Sequence, residues 1–291
     1  MIVRPATSGD AVPWVLVAPA LIGTAAFIVL PLLCMGIYSF WTQQPGGLVD
    51  HSLTFANWLE YAQDPFYALI LADTLRVAAA TTILCVLIGY PPAYALSLIG
   101  PRWKGLLIVL LFLPSWISYV VRTMSWLYVL GRNGLINTIL SRLGAIEEPL
   151  PLLYNEFSVH LGLVHYLLPL MILNIYIGIQ SVDRNLVTAA RTLGATNWQA
   201  FLAVTFPLSL PGIGAGSLLV FILSAGSYIT PLVLGGPGTM FYSTLIYESI
   251  IRQLNWAFGA TVSLVFIFVL GLAVMIYTRV AGLSHLMREP R

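Results

Sequence analysis

Six stretches of this sequence, about 13–40, 74–99, 105–130, 158–181, 208–234 and 256–280, are long and mainly apolar. A helix crossing the hydrocarbon core of a bilayer needs roughly 20 such residues. Without water, only helices or closed barrels satisfy every backbone group, and continuous runs of this length mean helices. The sequence therefore predicts an all-α polytopic membrane protein with six transmembrane helices, read as a single transmembrane domain over 1–291. Composition agrees: 8% of residues are charged and 59% hydrophobic, whereas a soluble domain carries about 25% charged residues. No internal repeat or low-complexity segment is evident. Arg4 and Ala18-Pro19-Ala20 loosely resemble a secretory signal with a cleavage site. The apolar run nevertheless continues to Phe40, well past the roughly 7–15 residues of a signal core, and reads as an uncleaved first span.

Orientation follows from the basic residues. With the N-terminus inside, the cytoplasmic face holds Arg4, Arg102, Lys104, Arg184, Arg191, Arg279, Arg288 and Arg291, and the outer face Arg132, Arg142 and Arg252. Cytoplasmic acids are Asp10, Asp183 and Glu289, while most acids fall outside. Both termini are expected in the cytoplasm, as is the polar stretch 182–207. A net charge of +2 without a basic run is too small to indicate nucleic-acid binding, and no nucleic-acid partner is expected. Cys34 and Cys85 fall inside apolar runs and read as small buried hydrophobes.

In the stretch after Asp183, Leu186, Ala189, Ala190 and Leu193 form one apolar stripe on a short helix. Asp183 is placed to cap its start and Gly194 to end it in a left-handed turn. Thr196 and Gln199 have capping-box spacing and open a second helix bearing Trp198, Phe201 and Leu202 that runs toward Pro207. Such a hairpin either lies on lipid headgroups or docks its small-residue face into a protein groove. Residue physics leaves both open.

Thr188-Ala189-Ala190, three residues, Gly194, nine residues, Val204, one residue and Phe206-Pro207 resemble the E-A-A-x3-G-x9-I-x-L-P loop of permease subunits of binding-protein-dependent ABC importers. Asp73-Thr74-Leu75 and Gly89-Tyr90-Pro91-Pro92-Ala93-Tyr94 are similar to further elements of that family. The segments 227–236 and 255–260 resemble its spermidine/putrescine branch. The resemblance implies a type I importer permease in a bacterial inner membrane. Thr188, Ala189, Ala190, Arg191, Gly194, Ala195 and Pro207 would then couple it to the ATPase. It also implies a second permease subunit (a heterodimer), two cytoplasmic ATPase subunits holding ATP and Mg, an extracytoplasmic solute-binding protein, surrounding membrane lipid, and no cofactor on this chain. Two departures stand out. Thr188 replaces the family glutamate, and Leu232 stands where polyamine members carry an acid.

The chain has no P-loop: Lys104 is its only lysine and no G-x-x-x-x-G-K-[ST] surrounds it. It has no nucleophile elbow, and His160 and His165 read as packing residues rather than a metal pair. It is therefore read as a permease and not as an enzyme. Candidate solute-path residues are Tyr119, Arg122, Trp126, Asn174, Tyr176, Ser227 and Tyr228, polar or aromatic groups within spans three, four and five. Aromatic faces attract ammonium groups. An arginine at membrane depth is costly, so Arg122 contacts a solute, snorkels outward or pairs with an acid. Asp73 and Arg76 are spaced to pair with each other. Gly212 and Gly216 allow close helix approach, and Pro231 with the Gly235–Gly238 cluster bends or ends span five.

The leading expectation is an importer permease for a small polar solute, polyamine-like first. Other amines, opine-like conjugates and organic anions are the alternatives. An ion-gradient-driven secondary transporter would carry midplane acid or histidine relays and inverted repeats, and neither is apparent. A membrane scaffold would give no solute-dependent ATPase activity.

Overall fold

The computed structural model describes residues 14–43, 49–236 and 238–280. The readings placed on Arg4, Asp10, Arg288, Glu289 and Arg291, the start of the first span at residue 13, and Pro237 lie outside the described residues. Contacts sort into two compact units, Met1–Gln63 with Ser249–Val265, and Asp64–Glu248 with Phe266–Arg291.

In the first unit, α1 (Trp14–Tyr38) leads into an antiparallel hairpin, β1 (Trp41–Gln43) and β2 (Val49–Leu53), followed by α2 (Ala56–Gln63). The hairpin is the one departure from an all-α architecture among the described residues. No part of the α1 segment Pro19–Tyr38 is buried within the described chain. A helix apolar on every side needs lipid or another chain around it. Cys34 accordingly lies exposed rather than buried, while Cys85 is buried as expected. Below α1, the Ser39 carbonyl accepts hydrogen bonds from Asn57 Nδ2 at 3.0 Å and Thr261 Oγ1 at 3.4 Å.

The second unit carries the helices that position the sites. Asp64 accepts the Phe66 N–H, and Pro65 opens α3 (Pro65–Leu98), which runs for 34 residues. The expected start at 74 is thus too late. Asp73 and Arg76 do not interrupt the helix because they pair on its surface, at 3.4 Å. The expected third span, 105–130, is broken. It comprises α4 (Pro101–Phe112), a tight 3-10 turn (Leu113–Trp116) and α5 (Tyr119–Leu130), followed by α6 (Leu135–Arg142), and its two limbs meet at 85°. Pro114 supplies no N–H to the turn before it, and Ile117 is extended.

The fourth span matches α7 (Glu156–Gln180), opened by a capping box between Asn155 and Ser158. Next come α8 (Arg184–Thr192), α9 (Asn197–Ala200), a π turn (Phe201–Thr205) and α10 (Phe206–Ala225). The last three form one continuous segment, so the fifth span neither begins at 208 nor reaches 234. Pro207 is tolerated because the wider π turn bonds Phe206 N–H to Phe201 O, five residues back. At its other end the helix stops at Gly226, and residues 231–235 form a separate π turn. α11 (Tyr242–Tyr247) and α12 (Trp256–Val280) follow, the latter matching the sixth span.

Buried Cys85, Leu167, Met171, Ile175 and Val220 pack α3, α7 and α10 together. α7 and α10 meet where Gly178 faces Gly212. A Cβ on Gly212 would fall 2.6 Å from the Asn174 carbonyl oxygen and from Gly178 Cα. The close approach read from Gly212 and Gly216 is therefore made to the chain's own α7.

Candidate functional site

The hairpin formed by α8 and α9 is set by local bonds. Asp183 accepts the Asn185 N–H at 2.9 Å. Gly194, at φ +92°, turns the chain, and the Ala195 N–H reaches back to Ala190 O at 3.1 Å. Thr196 N–H donates to Gln199 Oε1 at 2.8 Å, and Gln199 N–H donates to Thr196 Oγ1 at 3.3 Å. The Thr188 hydroxyl donates to the Arg184 carbonyl at 3.0 Å, so it serves its own helix.

Along the stripe read from the sequence, Leu186 and Ala189 are exposed, Ala190 is half-buried, and Leu193 is 89% exposed. Nothing described in this chain covers that face. Arg191 and Ala195 lie on the same hairpin. Pro207 sits beyond it, inside the segment leading into α10. Behind the hairpin, Trp198 stacks on Phe201 with centroids 5.2 Å apart, and Phe201 meets Tyr90, Tyr94 and Phe206. This aromatic cluster joins the hairpin to the C-terminal end of α3.

A second cluster lies partway along α7, where helix length alone implies mid-membrane depth. Residues 165 and 166 are about 14 Å along α7 from its start at a rise of ~1.5 Å per residue, near half the ~30 Å hydrocarbon thickness. Here the break before α5 faces the break after α10. Tyr119 OH bonds Ser227 Oγ at 2.6 Å and also Thr230 Oγ1. The Tyr119 ring packs on Tyr166 with centroids 4.4 Å apart. Trp126 Nε1 donates to His165 Nδ1 at 3.3 Å. Ser243 Oγ donates to Ser227 O at 2.6 Å, and Tyr228 stacks on Tyr247 at 5.3 Å.

Arg122 is 7% exposed. Its Nη2 donates to Ile117 O at 2.8 Å, inside the helix break, and the guanidinium lies 5.5 Å from the Tyr166 ring centre. Nε and Nη1 are buried without a partner among the described residues. Among the described residues Arg122 therefore neither reaches the protein surface nor pairs with an acid. Leaving a buried charged donor unpaired is expensive.

Tyr119, Arg122, Trp126, Ser227 and Tyr228 thus lie around two facing helix breaks. Asn174 and Tyr176 do not join them. Asn174 is about 13 Å further along α7, where its Nδ2 bonds Leu170 O at 2.9 Å and it packs against Gly216. Tyr176 lies under the Lys104 ammonium at 5.6 Å. Tyr166 and Thr230 are participants that the sequence reading missed, and their aromatic and hydroxyl character at mid-span was the only available signal. Arg76 has a shorter partner than Asp73, bonding Glu156 at 2.8 Å. Glu156 also approaches His160 at 3.3 Å, and His160 contacts the Thr81 hydroxyl at 2.9 Å.

Comparison with known proteins gives a consistent set of similarities. Residues 76–281 match the family described as binding-protein-dependent transport system inner membrane component. The chain is 35% identical over 253 residues to the spermidine/putrescine transport system permease protein PotB of Haemophilus influenzae, covering 87% of this chain and 88% of that one. It is 32% identical over 259 residues to PotB of Escherichia coli, covering 89% and 94%. A chain from the crystal structure of a bacterial alginate ABC transporter in complex with alginate pentasaccharide-bound periplasmic protein superposes with a TM-score of 0.73. It shares 17% identity, with 93% of each chain covered.

Proposed function

Because this chain belongs to the binding-protein-dependent transport system inner membrane component family, we propose that it passes a small polar organic amine, polyamine-like first, through the midplane site around Tyr119. The chain is a membrane-embedded permease subunit of an ABC importer. Such an importer works with an ATPase and a solute-binding protein. The observation that carries the site assignment is the meeting of two discontinuous helices at Tyr119, Ser227 and Thr230. Irregular backbone at membrane depth is confined to places buried in protein or lining a water-filled cavity, and transporter sites are typically formed by such discontinuous helices. The relatives named for spermidine and putrescine support the amine. The rings of Tyr119, Tyr166, Trp126 and Tyr228 offer an ammonium group faces worth roughly 0.5–2 kcal/mol each.

A second reading is a solute carrying a carboxylate, an opine-like conjugate or an organic anion. The unpaired Nε and Nη1 of Arg122 favour it.

In this proposal the exposed face of α8, with Ala189 and Ala190 and the turn at Gly194, docks on a cytoplasmic ATPase. Two such subunits burn ATP with Mg, and a second, different permease completes the path. The termini face the cytoplasm by the positive-inside bias, and the solute-binding protein docks on the opposite side. Closure of the ATPases pulls the hairpin, and the continuous segment Asn197–Ala225 carries that displacement to the breaks at midplane.

Purification of the complex in mild detergent tests the reading. An ATPase should co-purify, and its activity should rise when solute-binding protein is added with diamines and triamines. Stimulation only by carboxylates selects the second reading. Absence of any ATPase, or activity indifferent to every solute, defeats both.

A further inference from the structure

A cavity of about 310 Å³ opens beside the hairpin, on the face of α8 that turns away from the exposed apolar stripe. Arg184, Thr188 and Arg191 line it at positions i, i+4 and i+7, opposite Tyr94 and Ser97 at the end of α3 and Gln180 at the end of α7. Its lining has no carboxylate among the described residues. The sequence has no acidic residue at all from 184 to 247. The nearest one, Asp183, spends an oxygen capping α8. Neither Arg184 nor Arg191 forms an ion pair among the described residues.

We propose that this cavity binds the phosphate of an anionic membrane phospholipid, held between Arg184 and Arg191. Two arginines on one helix face, lining a recess that also holds the hydroxyls of Tyr94 and Ser97 and the amide of Gln180, suit phosphate oxygens, for which arginine is the matched donor. The location selects lipid as the source. The recess lies where the membrane-spanning helices α3 and α7 end, and basic pockets between membrane helices on the cytoplasmic side bind such headgroups. Its remaining walls are Leu98, Ile179, Val182, Val187 and Thr205, all but the last apolar, which suits the junction between headgroup and acyl chains. A lipid seated there would brace the inner side of α8 while its outer stripe stays free. The site is independent of which solute is carried.

Native mass spectrometry of the full-length permease, released from bilayers containing equal phosphatidylglycerol and phosphatidylcholine, tests this directly. The wild type should retain phosphatidylglycerol preferentially. The R184Q/R191Q variant should lose about 30-fold of that preference, R184K/R191K should keep most of it, and Arg142→Gln, far along the sequence, should keep all of it. Three results would overturn the proposal. Retention could be equal for the two lipids or fall equally in Arg142→Gln. Millimolar inorganic phosphate could displace the lipid as readily as added phosphatidylglycerol does. A Ser97→Cys permease, with its cysteine in the recess wall away from the docking stripe, could cross-link in the assembled complex to a protein subunit, which would make the occupant an acidic protein side chain.

Discussion

The hairpin of α8 and α9 and the midplane cluster around Tyr119 are held in opposite ways. In the hairpin, the bonds that set the shape join residues two to five apart, and its apolar face is left uncovered. In the cluster, Tyr119 reaches partners 108 and 111 residues away, and Trp126 reaches one 39 away. A locally bonded element keeps its shape when it is moved as a body. A cluster of long-range contacts between broken helices must come apart when those helices shift. The first construction suits transmission of force and the second suits a gate, with the π turn at Phe201–Thr205 between them.

Substitutions that strike one construction and spare the other sharpen this contrast. The largest effect is expected from Gly212→Leu. Its Cβ would meet backbone atoms of α7 at 2.6 Å, and neither backbone can yield without parting α7 from α10. Overpacking costs about 1–3 kcal/mol, and more where the obstacle is backbone. A fall in detergent Tm of several degrees with loss of transport is the outcome to measure, whereas an unchanged Tm would show that the two helices are not held together as described.

Gly194→Val comes next. A branched residue at φ +92° carries about 1–2 kcal/mol of strain within the hairpin alone. Uptake should drop roughly tenfold while insertion and Tm stay near wild type. Wild-type uptake would separate the turn from coupling.

Tyr119→Phe should act on the gate and spare the hairpin. It leaves the Ser227 and Thr230 hydroxyls without this partner at a cost of about 1 kcal/mol. A several-fold change in the solute concentration for half-maximal uptake is expected, with basal ATPase activity unaltered. A change in basal activity alone would move Tyr119 to the coupling machinery. Thr196→Ala is expected to be mildest. It removes one half of a capping box worth about 1 kcal/mol, seen as faster amide exchange at Gln199 and less than twofold lost uptake.

The same contrast explains what could be read in advance. The Asp183 cap, the Gly194 turn and the Thr196–Gln199 box follow from neighbouring residues, so sequence spacing places them. The number of hydrophobic segments is legible because hydropathy integrates over a whole span. Hydropathy does not register the break at Ile117 or the stop at Gly226, because the residues on both sides remain apolar. Paired charges mislead it in the other direction. Asp73 and Arg76 look like a helix boundary, yet α3 runs through them. In the midplane site, residue type alone selected Tyr119, Arg122, Trp126, Ser227 and Tyr228. The same rule also selected Asn174 and Tyr176, which sit elsewhere, and passed over Tyr166 and Thr230. Their membership depends on how α5, α7 and α10 approach one another, and no local spacing encodes that.

On the proposed function, the uncovered face of α8 is the seat of an ATPase. Ala189→Cys, placed on that face in the assembled complex, offers the most direct measurement. A short bismaleimide should join it to a cytoplasmic ATPase subunit, with the yield changing when ATP is added. Labelling of that cysteine by an impermeant maleimide from outside intact cells, with no cross-link to an ATPase, would contradict the account.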